Sequence, residues 1–123
     1  MGILAIGRVA LVAAGALWCG GAAAQEDDFY RNKSVKIVVG SEAGGGFSTY
    51  ALLLSAHLNK HIPGNPGVAI EHRPGSGGIN AINYLANAAP RDGTVIAVAM
   101  PNFFVTPFVE PAATKFDPGQ FRF

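Results

Sequence analysis

The stretch SVKIVVGSEAGGGFSTYALLLSAHL, residues 34–58, sets three consecutive glycines between a β-branched run and a leucine-rich run. Val35 to Val39 predicts a buried strand, and Gly40 to Phe47 the turn that follows it. Ser48 or Thr49 stands where a helix N-cap is wanted, for a helix reaching about His61 with Ala51, Leu54 and Leu58 on one buried face. The run IPGNPG, residues 62–67, ends that helix, because proline removes a backbone donor and clashes with the preceding turn. A phosphate loop, a carboxylate pocket and a plain strand-to-helix turn would each use bare backbone of this kind. The surroundings have to choose between them.

Working outward, the pattern repeats. VAIEH (68–72) predicts a second strand, RPGSGG (73–78) a second glycine-rich turn, and INAINYLANAA (79–89) a second helix with Ala81, Tyr84, Leu85 and Ala88 on one face. After the turn PRDG, the run TVIAVAM (94–100) is almost wholly apolar, as expected of a parallel strand covered on both faces. The order β-α-β-α-β predicts an α/β fold with right-handed crossovers and a parallel sheet. From Pro101 onward the chain is rich in aromatics and prolines and shows no clear period.

Each glycine loop falls between the carboxyl end of a strand and the amino end of a helix, the crevice in which open α/β sheets bind ligands. Gly44, Gly45 and Gly46 can bring backbone N–H groups to a ligand with no side chain intervening, and the helix behind them adds free donors and partial positive charge. Gly75, Ser76, Gly77 and Gly78 offer the same at the second helix, so the two loops together predict one anion site. A Walker loop needs Gly-Lys-Ser/Thr where Gly46 is followed by Phe47, and a dinucleotide fingerprint lacks its last glycine at Asn80. With Arg73 the sole cation in either loop, neutral donors suit a small carboxylate better than a polyphosphate. Two tight turns without a ligand remain the structural alternative. His57 and His61 stand four apart on the first helix with His72 distant, and no nearby carboxylate motif makes them a metal site. No Gly-x-Ser-x-Gly elbow and no base at motif spacing from Ser41, Ser48 or Ser76 is present, so no catalytic residue and no cofactor is assigned.

Nine basic and eight acidic residues give a net charge of +1 with no block of like charge, which leaves no electrostatic footprint for nucleic acid or an anionic membrane. The first residues, MGILAIGRVALVAAGALWCGGAAAQ, combine Arg8, an apolar run from Val9 to Trp18 and the small-residue site Ala22-Ala23-Ala24. They predict a signal peptide, 1–24, whose apolar run is well short of the roughly 20 residues that cross a bilayer. Cleavage there removes Cys19, leaving an exported chain with no cysteine and so no disulfide.

The order of pieces from Tyr30 onward resembles the substrate-binding proteins of tripartite tricarboxylate transporters, the periplasmic receptors of the TctC type. The resemblance rests on Gly44 to Gly46, on His72-Arg73-Pro74-Gly75-Ser76-Gly77-Gly78, and on Ala89-Pro90-Arg91-Asp92-Gly93-Thr94, in the same order and spacing. It implies a periplasmic-binding-protein-like, type II-like clamshell that closes on a small organic acid through backbone N–H groups. It further implies delivery of that ligand to membrane permease subunits, a monomer, no catalysis and a periplasmic location. Such receptors are roughly two to three times longer than this chain, so residues 25–123 are expected to be the amino-terminal portion of the first lobe, truncated soon after Phe116-Asp117-Pro118. The carry-over proposes Gly44, Gly45, Gly46, Phe47, Ser48, Gly75, Ser76, Gly77, Gly78 and Asn80 as ligand-binding, with Met100 to Asn102 completing the rim.

Two departures bear on specificity. Many members have proline near Ser41 to Ala43 and an aspartate where this chain has Ser48, so Ser48 would present a neutral hydroxyl to the ligand. Helix capping for Ser48 and core packing for Phe47 are the structural alternatives. A nucleotide-dependent α/β enzyme domain with a degenerate glycine loop is the competing function, disfavoured by the export signal and the incomplete fingerprint.

Overall fold

The computed structural model describes residues 29–123, so the signal-peptide reading and Cys19 lie outside the described residues. Strands β1 (Ser34–Val39), β2 (Gly67–His72) and β3 (Val95–Val98) form a parallel sheet in the order β2-β1-β3. Val35 is in register with Val68, and Val39 with both His72 and Val98. The β-branched run of residues 35–39 occupies the central strand, where Val35, Ile37, Val38 and Val39 are all buried. An unbroken apolar run is what a strand covered on two faces requires.

Helix α1 (Gly46–Leu58) and helix α2 (Ile79–Asn87) cover opposite faces. Ile37, Val39 and Ala51 pack with Phe47, Leu58, Val68, Ile70, Ile96 and Val98, whereas Ile79, Ile82 and Phe103 pack with Ala97, Ala99, Phe116 and Phe121. Alternate residues of β3 therefore serve the two layers, as the period of two along a strand dictates. Right-handed crossovers account for the arrangement: β1 to β2 steps one way across the sheet and β2 to β3 steps back, so the second helix must lie on the other side. The α/β class stands, and the architecture is consistent with part of one clamshell lobe.

Several local expectations need correction. Ala51 is buried and Leu58 packs on the core as expected, but Leu54 is 39% exposed beside the exposed Tyr50, Leu52 and Leu53, and Ser48 is buried in its place. Small side chains let the helix lie close over β1, and a helix apolar all round carries no periodic contrast from which its contact face can be read. In α2 the buried residues are Ile79, Ala81 and Ile82; Ala88 lies past the helix end and is exposed, its N–H donating to the Tyr84 carbonyl at 2.9 Å. β3 is four residues long and only half-buried, although its alternate residues pack on both layers as expected.

The tail is docked, despite lacking a period. A 3-10 turn at Pro101–Phe104 buries Phe103 against α2, and a one-turn helix α3 (Thr106–Val109) follows. Asn83 Nδ2 donates to the Ala113 carbonyl at 3.0 Å, and Asn83 Oδ1 accepts from the Lys115 amide at 2.8 Å. Asn87 Nδ2 donates to the Lys115 carbonyl at 2.7 Å.

Candidate functional site

In a parallel sheet the loops leaving the carboxyl ends of all strands collect at one edge. Here these are residues 40–45 after β1, 73–78 after β2 and 99–102 after β3. The first loop leads to α1 on one face, whereas the second and third lead to α2 and Phe103 on the other. That divergence opens a crevice over the end of β1.

The three loops are tied into one rim. A Cβ on Gly40 would stand 2.8 Å from Gly78 Cα, and one on Gly78 would stand 3.2 Å from Met100 Sδ, so backbone meets backbone across the crevice floor. His72 Nδ1 lies 3.0 Å from the Ser41 carbonyl. A carbonyl can only accept, so this contact requires the proton on Nδ1 and joins the first loop to the second. The Arg73 amide donates to the Val39 carbonyl at 2.8 Å, Asn80 Nδ2 to the Pro74 carbonyl at 3.2 Å, and Asn102 Nδ2 to the Gly77 carbonyl at 3.1 Å.

In the first loop α1 is N-capped by Gly45, which makes no side-chain cap bond. Neither Ser48 nor Thr49 caps the helix as expected. The Thr49 amide donates to the Gly45 carbonyl at 2.9 Å and its hydroxyl to the same oxygen at 3.2 Å, while Ser48 is 1% exposed. The amides of Gly46, Phe47 and Ser48 thus open the helix without an intrahelical acceptor. Phe47 packs on the Ile37, Val39 and Ala51 cluster. Gly44 has φ +87°, and around both Gly44 and Gly46 nothing stands within 4 Å of the place a Cβ would take. Gly45 is closer to its surroundings, its amide donating to the Glu42 carbonyl at 3.4 Å. The Ser41 hydroxyl beneath it is buried and has no hydrogen-bond partner among the described residues.

The second loop is bare for a different reason. Gly75, Ser76, Gly77 and Gly78 have φ of +111°, +48°, +60° and +90°, four successive residues in the region L side chains avoid. The Gly78 amide donates to the Gly75 carbonyl at 3.0 Å and the Ile79 amide to the Ser76 carbonyl, forming two consecutive mirror-image turns. Those bonds leave out the amides of Ser76 and Gly77, which lie in the exposed part of the turn, whereas Gly78 is buried. Asn80 is exposed and its amide group braces Pro74.

Charge nearby is already matched. Lys36 Nζ lies 2.7 Å from Glu71 Oε2, Arg73 Nε donates to Glu71 Oε1, and the Arg73 guanidinium stacks 3.5 Å from the Tyr84 ring centre. The Lys36 hydrogen bond holds the Glu71 carboxyl below its ordinary 4.5, and Glu71 in turn holds Lys36 above 10.5. An anion in the crevice would therefore meet chiefly neutral donors. His57 and His61 are exposed on and just after α1, and no group of three or more metal-ligating side chains occurs among the described residues. His72 opens the second-loop motif and Asn102 ends the expected rim, but their roles as braces to the Ser41 and Gly77 carbonyls have no signal in the sequence.

No protein-family model matches the chain. The chain is similar, at 35% identity over 80 residues, to the UPF0065 protein in gbd 5′ region of Cupriavidus necator. The matched stretch is 65% of this chain and 24% of the relative, so the chain spans about a quarter of that protein's length. UPF0065 is the TctC-like family, and the similarity supports the resemblance at the level of the family, without naming a ligand or a transporter.

Proposed function

We propose that the chain is part of a periplasmic, non-catalytic solute receptor that captures a small organic acid and delivers it to a tripartite tricarboxylate-type permease. The carboxylate would accept hydrogen bonds from the amides of Gly44, Gly46, Phe47 and Ser48 at the start of α1, and from Ser76 and Gly77 across the crevice. The Ser76 hydroxyl adds a donor on the exposed side.

Gly46 is the observation that carries this reading. It is the first residue of α1, its φ is not left-handed, and no neighbour crowds it, so neither conformation nor packing asks for glycine there. Alanine is favoured over glycine by roughly 0.5–1 kcal/mol inside a helix, an upper bound for its first residue. What a side chain at 46 would do is cover the amides behind it. Oriented amides at a helix N-terminus are a ready anion site, and with Arg73 and Lys36 engaged by Glu71 they suit a small carboxylate better than a polyphosphate.

The test is a thermal-shift series on the full chain with mono-, di- and tricarboxylates and with nucleotides. A cognate acid at 100 times its Kd adds about 2.7 kcal/mol of stability. Stabilisation by nucleotides with none by any acid would overturn the proposal. Export is checked separately, by recovery of a chain beginning at Gln25 from the periplasmic fraction.

A further inference from the structure

The imidazole of His72 stands where two strands of the sheet part. Val39 is in register with His72, and the last backbone rung between β1 and β2 is the Arg73 amide donating to the Val39 carbonyl at 2.8 Å. A parallel ladder advances by two residues on each strand, so the next rung would run from the Gly75 amide to the Ser41 carbonyl. Backbone does not make that rung. Pro74 and the positive φ of Gly75, +111°, turn the second chain away, and the Ser41 carbonyl accepts from His72 Nδ1 at 3.0 Å instead. The Gly75 amide has no acceptor among the described residues and lies in an exposed turn.

We propose that His72 is a positioning residue for ligand binding, whose side chain takes the rung that the Gly75 amide would otherwise fill and so releases that amide to the crevice as a donor. The inference rests on the receptor reading given above. The substitution of a side chain for backbone has two effects. It lets the loops after β1 and β2 diverge while they stay tied, close to the place where Gly40 already meets Gly78. It also leaves three successive amides, those of Gly75, Ser76 and Gly77, without an acceptor. An arriving carboxylate then finds its donors in place and breaks no internal bond to reach them. Asparagine carries a donor nitrogen on Cγ, as histidine carries Nδ1, and can keep the tie; alanine cannot.

Two measurements on the full chain without ligand test the exchange of donors itself. Nitrogen NMR spectra of the His72 ring at about pH 8, where an ordinary histidine is neutral, are expected to show the proton on Nδ1, the tautomer that a free side chain disfavours. The Gly75 amide is expected to exchange with water as fast as in an unstructured peptide. A ring proton on Nε2, or a protected Gly75 amide, would overturn the proposal whether or not any acid binds. The consequence for binding is read by isothermal titration with succinate and with citrate. His72→Ala is expected to weaken the tighter of the two about tenfold, the worth of one hydrogen bond, and His72→Asn to stay within about threefold of wild type. Equal affinity in all three chains, or an equal loss in both variants, would also overturn it. Failure of every acid to bind wild type counts against the receptor reading alone, and the tautomer and the Gly75 exchange then decide the role of His72.

Discussion

The two glycine loops look alike as strings and differ as objects. In the first, Gly44 and Gly46 are surrounded by open space; in the second, Gly75 to Gly78 are folded into a left-handed double turn with Gly78 against Gly40 and Met100. One loop uses glycine to leave room outside the chain, the other to let the chain pass close to itself. Glycine therefore reports two opposite demands, access and crowding, and the surroundings of the missing Cβ tell them apart.

The sharpest way to break the comparison is Gly40→Ala. The added methyl would lie 2.8 Å from Gly78 Cα, a contact with backbone that cannot swing aside. A loss of about 3 kcal/mol is expected in urea unfolding, the upper range for overpacking. A loss below about 1 kcal/mol would mean that the loops part easily and form no common rim.

Gly46→Ala, in the open loop, is expected to act in the opposite sense on stability. It should raise the urea midpoint by up to about 1 kcal/mol equivalent while abolishing the thermal shift produced by a stabilising acid. Retention of the full shift would remove the first loop from the site. Ser76→Gly probes the crowded loop at its one non-glycine residue. Relief of a left-handed side chain, which costs roughly 1–2 kcal/mol, is partly offset by the greater freedom of glycine in the unfolded chain, for a net gain of about 0.5 kcal/mol. If the hydroxyl contacts ligand, the same variant binds the acid more weakly, which isothermal titration would read.

The smallest expected effects depend on pH and lie at Glu71 beside the second loop and at Asp92 ahead of β3. Glu71 is held below its ordinary value by the Lys36 hydrogen bond, and Asp92 below 3.8 by the Thr94 hydroxyl and amide. A carboxyl depressed in the folded state contributes stability above its unfolded value and loses it as pH falls through the folded one. Lys36, raised by Glu71, contributes below its unfolded value and loses that contribution above it. Stability is expected to be flat between roughly pH 5 and pH 10 and to decline outside that window, with Glu71→Gln flattening the basic shoulder and reducing the acid one to the part left by Asp92. Solvent screens these groups, so the differences are small. A Glu71→Gln profile of unchanged shape would show that the network is not formed in solution.

Much of the fold was legible because its signals are local. The runs VKIVV, VAIEH and TVIAVA and the glycine turns between them mark strands and loops without knowledge of what they pack on. The contact face of α1 was not legible, since Tyr50, Leu52, Leu53 and Leu54 advertise burial that the three-stranded sheet does not provide. Nor was the handedness at Ser76, because a serine between glycines has no mark of positive φ. The structure brings Gly44 to Ser48 and Gly75 to Gly78 to one edge, at the carboxyl ends of neighbouring strands. Which of their amides are free depends on long-range braces such as His72 to Ser41, and spacing along a chain is silent about those.

Asn83 and Asn87 stand one helical turn apart and hold the backbone of a segment some 30 positions later. Residues 113–115 belong to no helix or strand, yet the Lys115 amide is held by a side chain rooted in α2. Its exchange with deuterium is therefore slaved to the opening of the last turn of that helix. A single amide in an irregular tail becomes a gauge for the rigidity of a helix that frames the crevice.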